Sequence, residues 1–382
     1  MKESKIYFKN LDSLRFIAAL MVYLQHGVSG SYEYLQINDT LLKKFLNTIS
    51  NGETGVSIFF VLSGFLITYL LITEYELKSK ISLRNFYIRR LLRIWPLYFM
   101  VVSFTFLVYP LLKSLIGMNN PLGSNFLYHL TFLSNFDVIN IEKNCAGNAA
   151  MSQNITWSVS IEEQFYLFWP LLFVFLPKRF WIYSILFVIC GSVFFRIINY
   201  DDHAVLYFHT FSVLLDLGTG GLMAFLIKKH KKIRTFFETS STKTHLILFV
   251  MSFCLLFWGS SIFLFKYGNA ISRIFISISF ALIISSQAIT KSASKLNTGN
   301  WSFASKWGKY TYGIYLIHPI ALTLIDIAVR VLHIPKTNFF SLFTIGILGF
   351  LLTLVLSKFS YNNYESRFLK LKDKFTTVKT HE

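Results

Sequence analysis

Residues 54–73 read TGVSIFFVLSGFLITYLLIT, twenty positions without a charge. An apolar run of roughly 20 residues is what an α-helix needs to cross about 30 Å of hydrocarbon. Comparable runs recur near 11–30, 94–116, 160–177, 180–198, 207–227, 245–265, 270–289, 310–332 and 338–357. The whole chain of 382 residues is 54% hydrophobic and 15% charged, with 41 Phe and 20 Tyr. Its mean hydropathy of +0.51 lies far above that of soluble domains. The expected fold is all-α: a polytopic transmembrane helical bundle of about ten spans.

Charge sets the expected orientation. With the N-terminus in the cytoplasm, the inside segments collect Lys9, Lys78, Lys80, Arg84, Arg89, Arg90, Arg93, Lys178, Arg179, Lys228, Lys229, Lys231, Lys232, Lys306, Lys309 and the tail lysines, most of the 37 basic residues. The positive-inside rule then puts both termini in the cytoplasm. Residues 1–370 read as one transmembrane unit and 371–382 as a short basic cytoplasmic tail. The net charge of +18 reads as topology plus contact with anionic membrane lipids, and needs no nucleic acid. The first apolar stretch carries Arg15 and no small-residue cleavage pattern, so no removable signal is expected. Cys145, Cys190 and Cys254 imply neither a disulfide framework nor a metal pattern, and the histidines lie on separate segments without ligand spacing. The largest external stretch, near 117–159, holds a short apolar piece, Phe126 to Phe136, expected to be re-entrant or interfacial.

Ionisable groups inside apolar segments are costly and commonly functional. Arg15 and His26 share the first segment, eleven residues apart. That spacing is three helical turns plus about 20° and a rise of roughly 16 Å, so both side chains lie on one face at different depths. His26 suits a general base that takes a proton from a hydroxyl in acyl transfer; its plainer reading is a hydrogen bond to a neighbour. Arg15 is either part of an anion site or the i,i+3 partner of Asp12. In Arg89-Arg90-Leu91-Leu92-Arg93-Ile94-Trp95-Pro96, Arg90 and Arg93 lie on one face and can grip a phosphate with forked donors, or simply obey the positive-inside rule.

Three further stretches accompany these. Trp157-Ser158-Val159-Ser160-Ile161-Glu162-Glu163-Gln164-Phe165-Tyr166 opens the fourth span near the level of His26, so Glu162 or Glu163 is expected to orient or charge-balance the imidazole, unless both merely cap a helix. Trp157 and Ser160 are further candidates there. Gly55-Val56 and Phe59-Phe60-Val61-Leu62-Ser63-Gly64-Phe65 read as a surface for close helix approach. Tyr315 and His318 share a face of the ninth span, as site residues or as a structural pair beside Pro319.

Taken together, in this order and spacing, the Arg15–His26 pair, the Gly55-to-Ile67 stretch, Arg90 and Arg93 before Ile94-Trp95-Pro96, Trp157 to Tyr166, Tyr315-Leu316-Ile317-His318 and Tyr361 to Phe368 carry a resemblance. The chain resembles the acyltransferase family 3 of membrane acyltransferases along nearly its full length. The resemblance implies acyl-CoA, usually acetyl-CoA, as donor and a glycan or lipid-linked saccharide as acceptor, O-antigens, exopolysaccharides and peptidoglycan among them; some members acylate small molecules. It implies donor handling by Arg15, Arg90 and Arg93 and catalysis by His26. Two departures stand out: many members have Asp where this chain has Ser57, and many have Arg where it reads Phe211-Ser212-Val213-Leu214. An extra hydrolase-like C-terminal domain, found in some relatives, is not expected. The function so implied is an integral O-acyltransferase of a bacterial cytoplasmic (inner) membrane. A transporter or flippase for an acyl donor or lipid-linked sugar is the alternative, because intramembrane Arg, His and Glu also mark transport paths. The halves of the chain show none of the similarity that transporter repeats leave.

Overall fold

A computed structural model describes residues 8–29, 40–115, 117, 123–144, 155–291, 294–335 and 339–376. Within the 117–159 stretch, residues 118–122 and 145–154, Cys145 among them, lie outside the described residues, as do the last tail residues, 377–382. The chain runs through α1 (Lys9–Gly27), α2 (Thr40–Ile49), α3 (Gly52–Lys78) and α4 (Leu83–Ser103). A π-helical turn, Phe104–Val108, joins α4 to α5 (Tyr109–Leu115). Two short helices follow, α6 (Phe126–Leu130) and α7 (Ser134–Asn144), then α8 (Thr156–Phe175), α9 (Trp181–Ile198), α10 (His203–Phe208) and α11 (Thr210–Lys229). The rest comprises α12 (Lys231–Glu238), α13 (Thr242–Ile262), α14 (Gly268–Ile289), α15 (Ser302–Gly308), α16 (Thr311–Val331), α17 (Phe339–Ser360), a second π-helical turn Tyr361–Glu365 and α18 (Ser366–Lys372). Among the described residues there is no strand.

Caps mark where the long helices begin. The Asn51 side chain accepts from Thr54 N at 2.9 Å to start α3, and Ser82 caps α4 through Asn85 N at 3.4 Å. One end of the bundle gathers the basic residues. There Glu74 of α3 pairs with Arg89 at 3.2 Å, Glu76 pairs with Lys228 at 2.7 Å, and Asn10 of α1 donates to Gln287 O at 2.9 Å. These ties bring together the start of α1 and α4 with the end of α3, α11 and α14, the alternation that a bundle of antiparallel neighbours requires.

Helix α3 and helix α11 form the most extensive pair, and glycines are the reason. A Cβ on Gly64 would meet Leu217 O at 1.8 Å, and one on Gly220 would meet Val61 O at 2.0 Å. Only hydrogen fits at either contact, so the small residues of the 54–73 stretch do allow close backbone approach. Burial follows: 67% of the apolar window of α3 lies inside the bundle, against 22% for α17. Helix α17 instead turns Leu348, Leu351 and Val355 outward, as a lipid-facing helix does.

A helix lies within each of the ten segments read as spans. Eight helices among the described residues are long and apolar enough to cross a membrane by length and composition. The two that fall short are α1 and α8, which carry Asp12 with Arg15 and Glu162 with Glu163. Both contribute polar residues to the lining of an interior cavity. The stretch Phe126 to Phe136 folds as α6 and the start of α7, anchored where Tyr98 Oη donates to His129 O at 2.8 Å and Gln164 Nε2 donates to Phe132 O at 2.8 Å.

Candidate active site

A cavity of about 590 Å³ opens between α1, α3, α4, α8 and α16. Arg15, Arg90 and Arg93 all line it, on helices that meet only through the tertiary fold. Arg15 keeps its local partner as well: Nη1 reaches Asp12 Oδ1 at 2.8 Å, and both side chains are mostly buried. The i,i+3 pairing with Asp12 is present, and Arg15 lines the cavity as well.

Helix geometry separates the three arginines of α4. Arg89 faces outward from the cavity and is spent on structure, with Nη2 on Glu74 and Nη1 donating to Phe375 O at 2.9 Å. Arg90 turns the other way. Its guanidinium lies over the rings of Phe86 and Tyr166, each 5.8 Å from the centroid, and its buried Nε has no hydrogen-bond partner. An ionised guanidinium walled by aromatics with a donor to spare is poised for an anion.

One of the two carboxylates of α8 belongs to this chamber. Glu162 lines the cavity and accepts from Ser63 Oγ, while Tyr166 Oη donates to that Ser63 at 3.1 Å. Glu163 accepts from Trp95 Nε1 at 2.9 Å. The structure does not join either carboxylate to His26 by a hydrogen bond: helical phase turns Glu162 toward α3 and Glu163 toward α4. Two other candidates also lie off the cavity. Trp157 packs in the core against Tyr207 and Phe208, with centroids 4.9 and 4.8 Å apart, and Ser160 Oγ meets Ser134 Oγ at 2.8 Å. The two residues between them, Ser158 and Val159, line the cavity, and Ser158 Oγ is 2.6 Å from Tyr315 Oη.

Tyr315 marks the deep end of the cavity, and its ring stands edge-on to His318, centroids 6.2 Å apart. His318 is 1% exposed and is the partner His26 uses: Nδ1 of His26 lies 2.9 Å from Nε2 of His318. The rings are inclined by only 11° with centroids 5.2 Å apart. That centroid distance exceeds the nitrogen separation by about two ring radii, so the rings meet edge to edge in nearly one plane and the hydrogen bond is straight rather than a face-to-face stack. His26 itself is exposed, at the end of the bundle opposite the basic end.

Ser63, Tyr166, Tyr312, Tyr361, Glu365 and the lysines Lys306 and Lys309 add further polar groups to the lining. Ser63 escaped sequence reading because a serine beside a glycine in an apolar run signals close packing first. The Tyr312 hydroxyl is engaged, donating to Ile94 O at 2.8 Å. Among the described residues no cluster of His, Cys, Asp or Glu is arranged to hold a metal ion.

The chain matches the family model described as acyltransferase domain over residues 8–358. It is 34% identical over 233 residues to the Staphylococcus aureus (strain COL) protein named "Putative O-acetyltransferase SACOL0978", covering 58% of this chain and 35% of that one. It is 28% identical over 384 residues to the peptidoglycan O-acetyltransferase OatA of Listeria monocytogenes, covering 95% of this chain and 56% of the relative. The chain thus spans between a third and little over half the length of the curated relatives it matches. No solved structure matches it.

Proposed function

The chain belongs to the acyltransferase domain family, the acyltransferase family 3 of the sequence resemblance, and from that premise we propose that it moves an acetyl group from acetyl-CoA to a hydroxyl of an extracytoplasmic or lipid-linked glycan. The observation that carries the proposal is the cavity itself. It gathers three guanidiniums from two helices toward the basic end and ends, beyond Glu162, at Tyr315 beside the His318–His26 pair. Phosphates of the donor are gripped by Arg15, Arg90 and Arg93 with forked, charge-assisted bonds. The pantetheine arm then follows α1 for the roughly 16 Å that eleven helical residues rise, bringing the thioester toward His26. His26 takes the proton of the acceptor hydroxyl as its oxygen bonds the thioester carbonyl carbon. The C–S bond then breaks, and the thiolate leaves with that proton as free CoA.

In this reading the basic end faces the cytoplasm, both termini lie there, ten helices span a bacterial inner membrane, and 371–382 form a tail beyond the transmembrane unit. Donor and acceptor come from opposite sides: the cavity rim sits among lysines at the basic end, and His26 is exposed at the other. The name of the Listeria relative makes peptidoglycan the first acceptor to try.

The test uses the full chain in sealed vesicles of known orientation, with acetyl-labelled CoA on the basic face and glycan on the other. Label is expected on the glycan, with free CoA on the side of addition. His26→Ala should lower transfer by about 100-fold or more, the usual contribution of a general base, and leave CoA binding intact. Near wild-type yield from His26→Ala removes the base. Intact acetyl-CoA crossing the bilayer without a modified acceptor makes the protein a transporter instead.

A further inference from the structure

The pairing of His26 with His318 has a polarity, and the polarity is set by a backbone carbonyl. His318 Nδ1 lies 3.3 Å from Ile314 O, and the backbone of Tyr315 is a second polar neighbour of the ring. A carbonyl oxygen only accepts, so Nδ1 of His318 carries the proton. Pro319 strengthens the arrangement, because the residue after His318 has no N–H to donate to the carbonyl of Tyr315 four positions back. With its proton on Nδ1, a neutral His318 presents a lone pair at Nε2. That nitrogen, 2.9 Å from His26 Nδ1, can only accept, so His26 carries its own proton on Nδ1. The lone pair of His26 is thereby left on Nε2, the nitrogen remote from His318.

We propose that His318 is a positioning residue: it fixes both the tautomer and the plane of the His26 ring so that Nε2 is the basic nitrogen offered to the acceptor hydroxyl. The inference rests on the reading of His26 as the base. The pair is supported from all sides by groups that do not compete for it. Tyr23 Oη of α1 donates to Gly346 O of α17 at 2.5 Å, and Tyr315 Oη is held by Ser158 of α8. On α3, Glu53 lies 3.7 Å from His203 Nε2, and Gln25 on the neighbouring position of α1 accepts from Gly52 N. Among the described residues no carboxylate bonds either ring, so the role that a carboxylate fills beside many catalytic histidines falls here to a second imidazole. After the base takes the acceptor proton on Nε2, its Nδ1–H remains bonded to His318, and the positive ring stays in place until the thiolate collects the proton.

The experiment compares wild type with His318→Ala, His318→Gln and His26→Ala in vesicles. His318→Gln keeps an acceptor oxygen near the position of Nε2. His318→Ala should lower kcat by about 100-fold with the KM for acetyl-CoA within about twofold, and His318→Gln should recover at least tenfold of that loss. A wild-type kcat in His318→Ala, or a glutamine variant no better than alanine, overturns the positioning role, whereas activity in His26→Ala overturns the base itself. A second readout needs no turnover: ¹⁵N spectra of histidine-labelled protein should show one His26 tautomer protonated at Nδ1 in wild type and a mixture in His318→Ala. The same tautomer mixture in both proteins refutes the proposal.

Discussion

Replacing Gly64 by alanine tests whether the bundle's tightest backbone contact also holds the candidate site. The added Cβ would lie 1.8 Å from Leu217 O and 2.7 Å from Leu217 C, where real Cβ atoms essentially never come under 3.0 Å. Both obstacles are backbone, so no rotamer change relieves them. Helix α3 must back away from α11 by more than an ångström, and the reciprocal contact of Gly220 with Val61 O opens with it. Overpacking a core costs about 1–3 kcal/mol, and a backbone obstacle in the most extensive helix pair puts this substitution at the upper end, near 3 kcal/mol. Ser63, the neighbour of Gly64, bonds Glu162, so the same shift drags on the cavity wall. Gly191→Ala and Gly259→Ala are the controls, since a Cβ at either position meets nothing within 4 Å. They should be neutral or slightly stabilising, because glycine in a helix interior costs about 0.5–1 kcal/mol relative to alanine. Thermal unfolding in detergent or nanodiscs, with acetyl transfer on the same samples, gives the answer. Gly64→Ala is expected to lower Tm by about 5 °C or more and to lose transfer activity. A Gly64→Ala protein that melts with Gly191→Ala would refute the packing argument.

Two further outcomes follow from charges. Arg90→Lys keeps the positive charge but not the fork, and should raise the KM for acetyl-CoA by about tenfold with little change in kcat; an unchanged KM assigns Arg90 to orientation alone. Asp216 is fully buried and takes both Nη2 and Nε of Arg273, at 2.5 and 3.1 Å. Asp216→Asn should destabilise by about 3–5 kcal/mol because it leaves a buried guanidinium uncompensated, and Arg273→Met added to it should restore part of the loss; an Asp216→Asn protein with wild-type Tm contradicts this.

The apolar periodicity placed every long helix, because bilayer thickness leaves little freedom in where a span begins and ends. The arginines were legible for a similar reason: Arg90 and Arg93 lie three apart on one helix, a purely local relation. His318 stands 292 residues from His26, and nothing local predicts that two histidines so far apart share a hydrogen bond. Adjacent carboxylates on α8 posed the opposite difficulty. Glu162 and Glu163 lie at the right depth for His26, but depth follows from residue number, whereas direction depends on the rotation of α8 about its axis. That rotation is set by Trp169 Nε1 donating to Thr68 Oγ1 at 2.8 Å and by Gln164 reaching Asn135 at 2.9 Å. The same rotation takes Trp157 and Ser160 into the core and leaves Ser158 on the cavity.

The two helices too polar to qualify as spans bear on how the protein is made. A charged residue near the centre of a helix raises its insertion free energy by about 3 kcal/mol, so α1 and α8 are poor candidates for entering lipid alone as they leave the ribosome. Helix α1 emerges before α3 and has to wait. Its stable partner is α3, where a Cβ on Gly55 would touch Ala18 O at 2.5 Å, a fit that lets the strongly apolar helix carry the weak one. Insertion of the N-terminal part is then a paired event at the translocon, and weakening the α1–α3 seam would leave α1 stranded outside the bilayer.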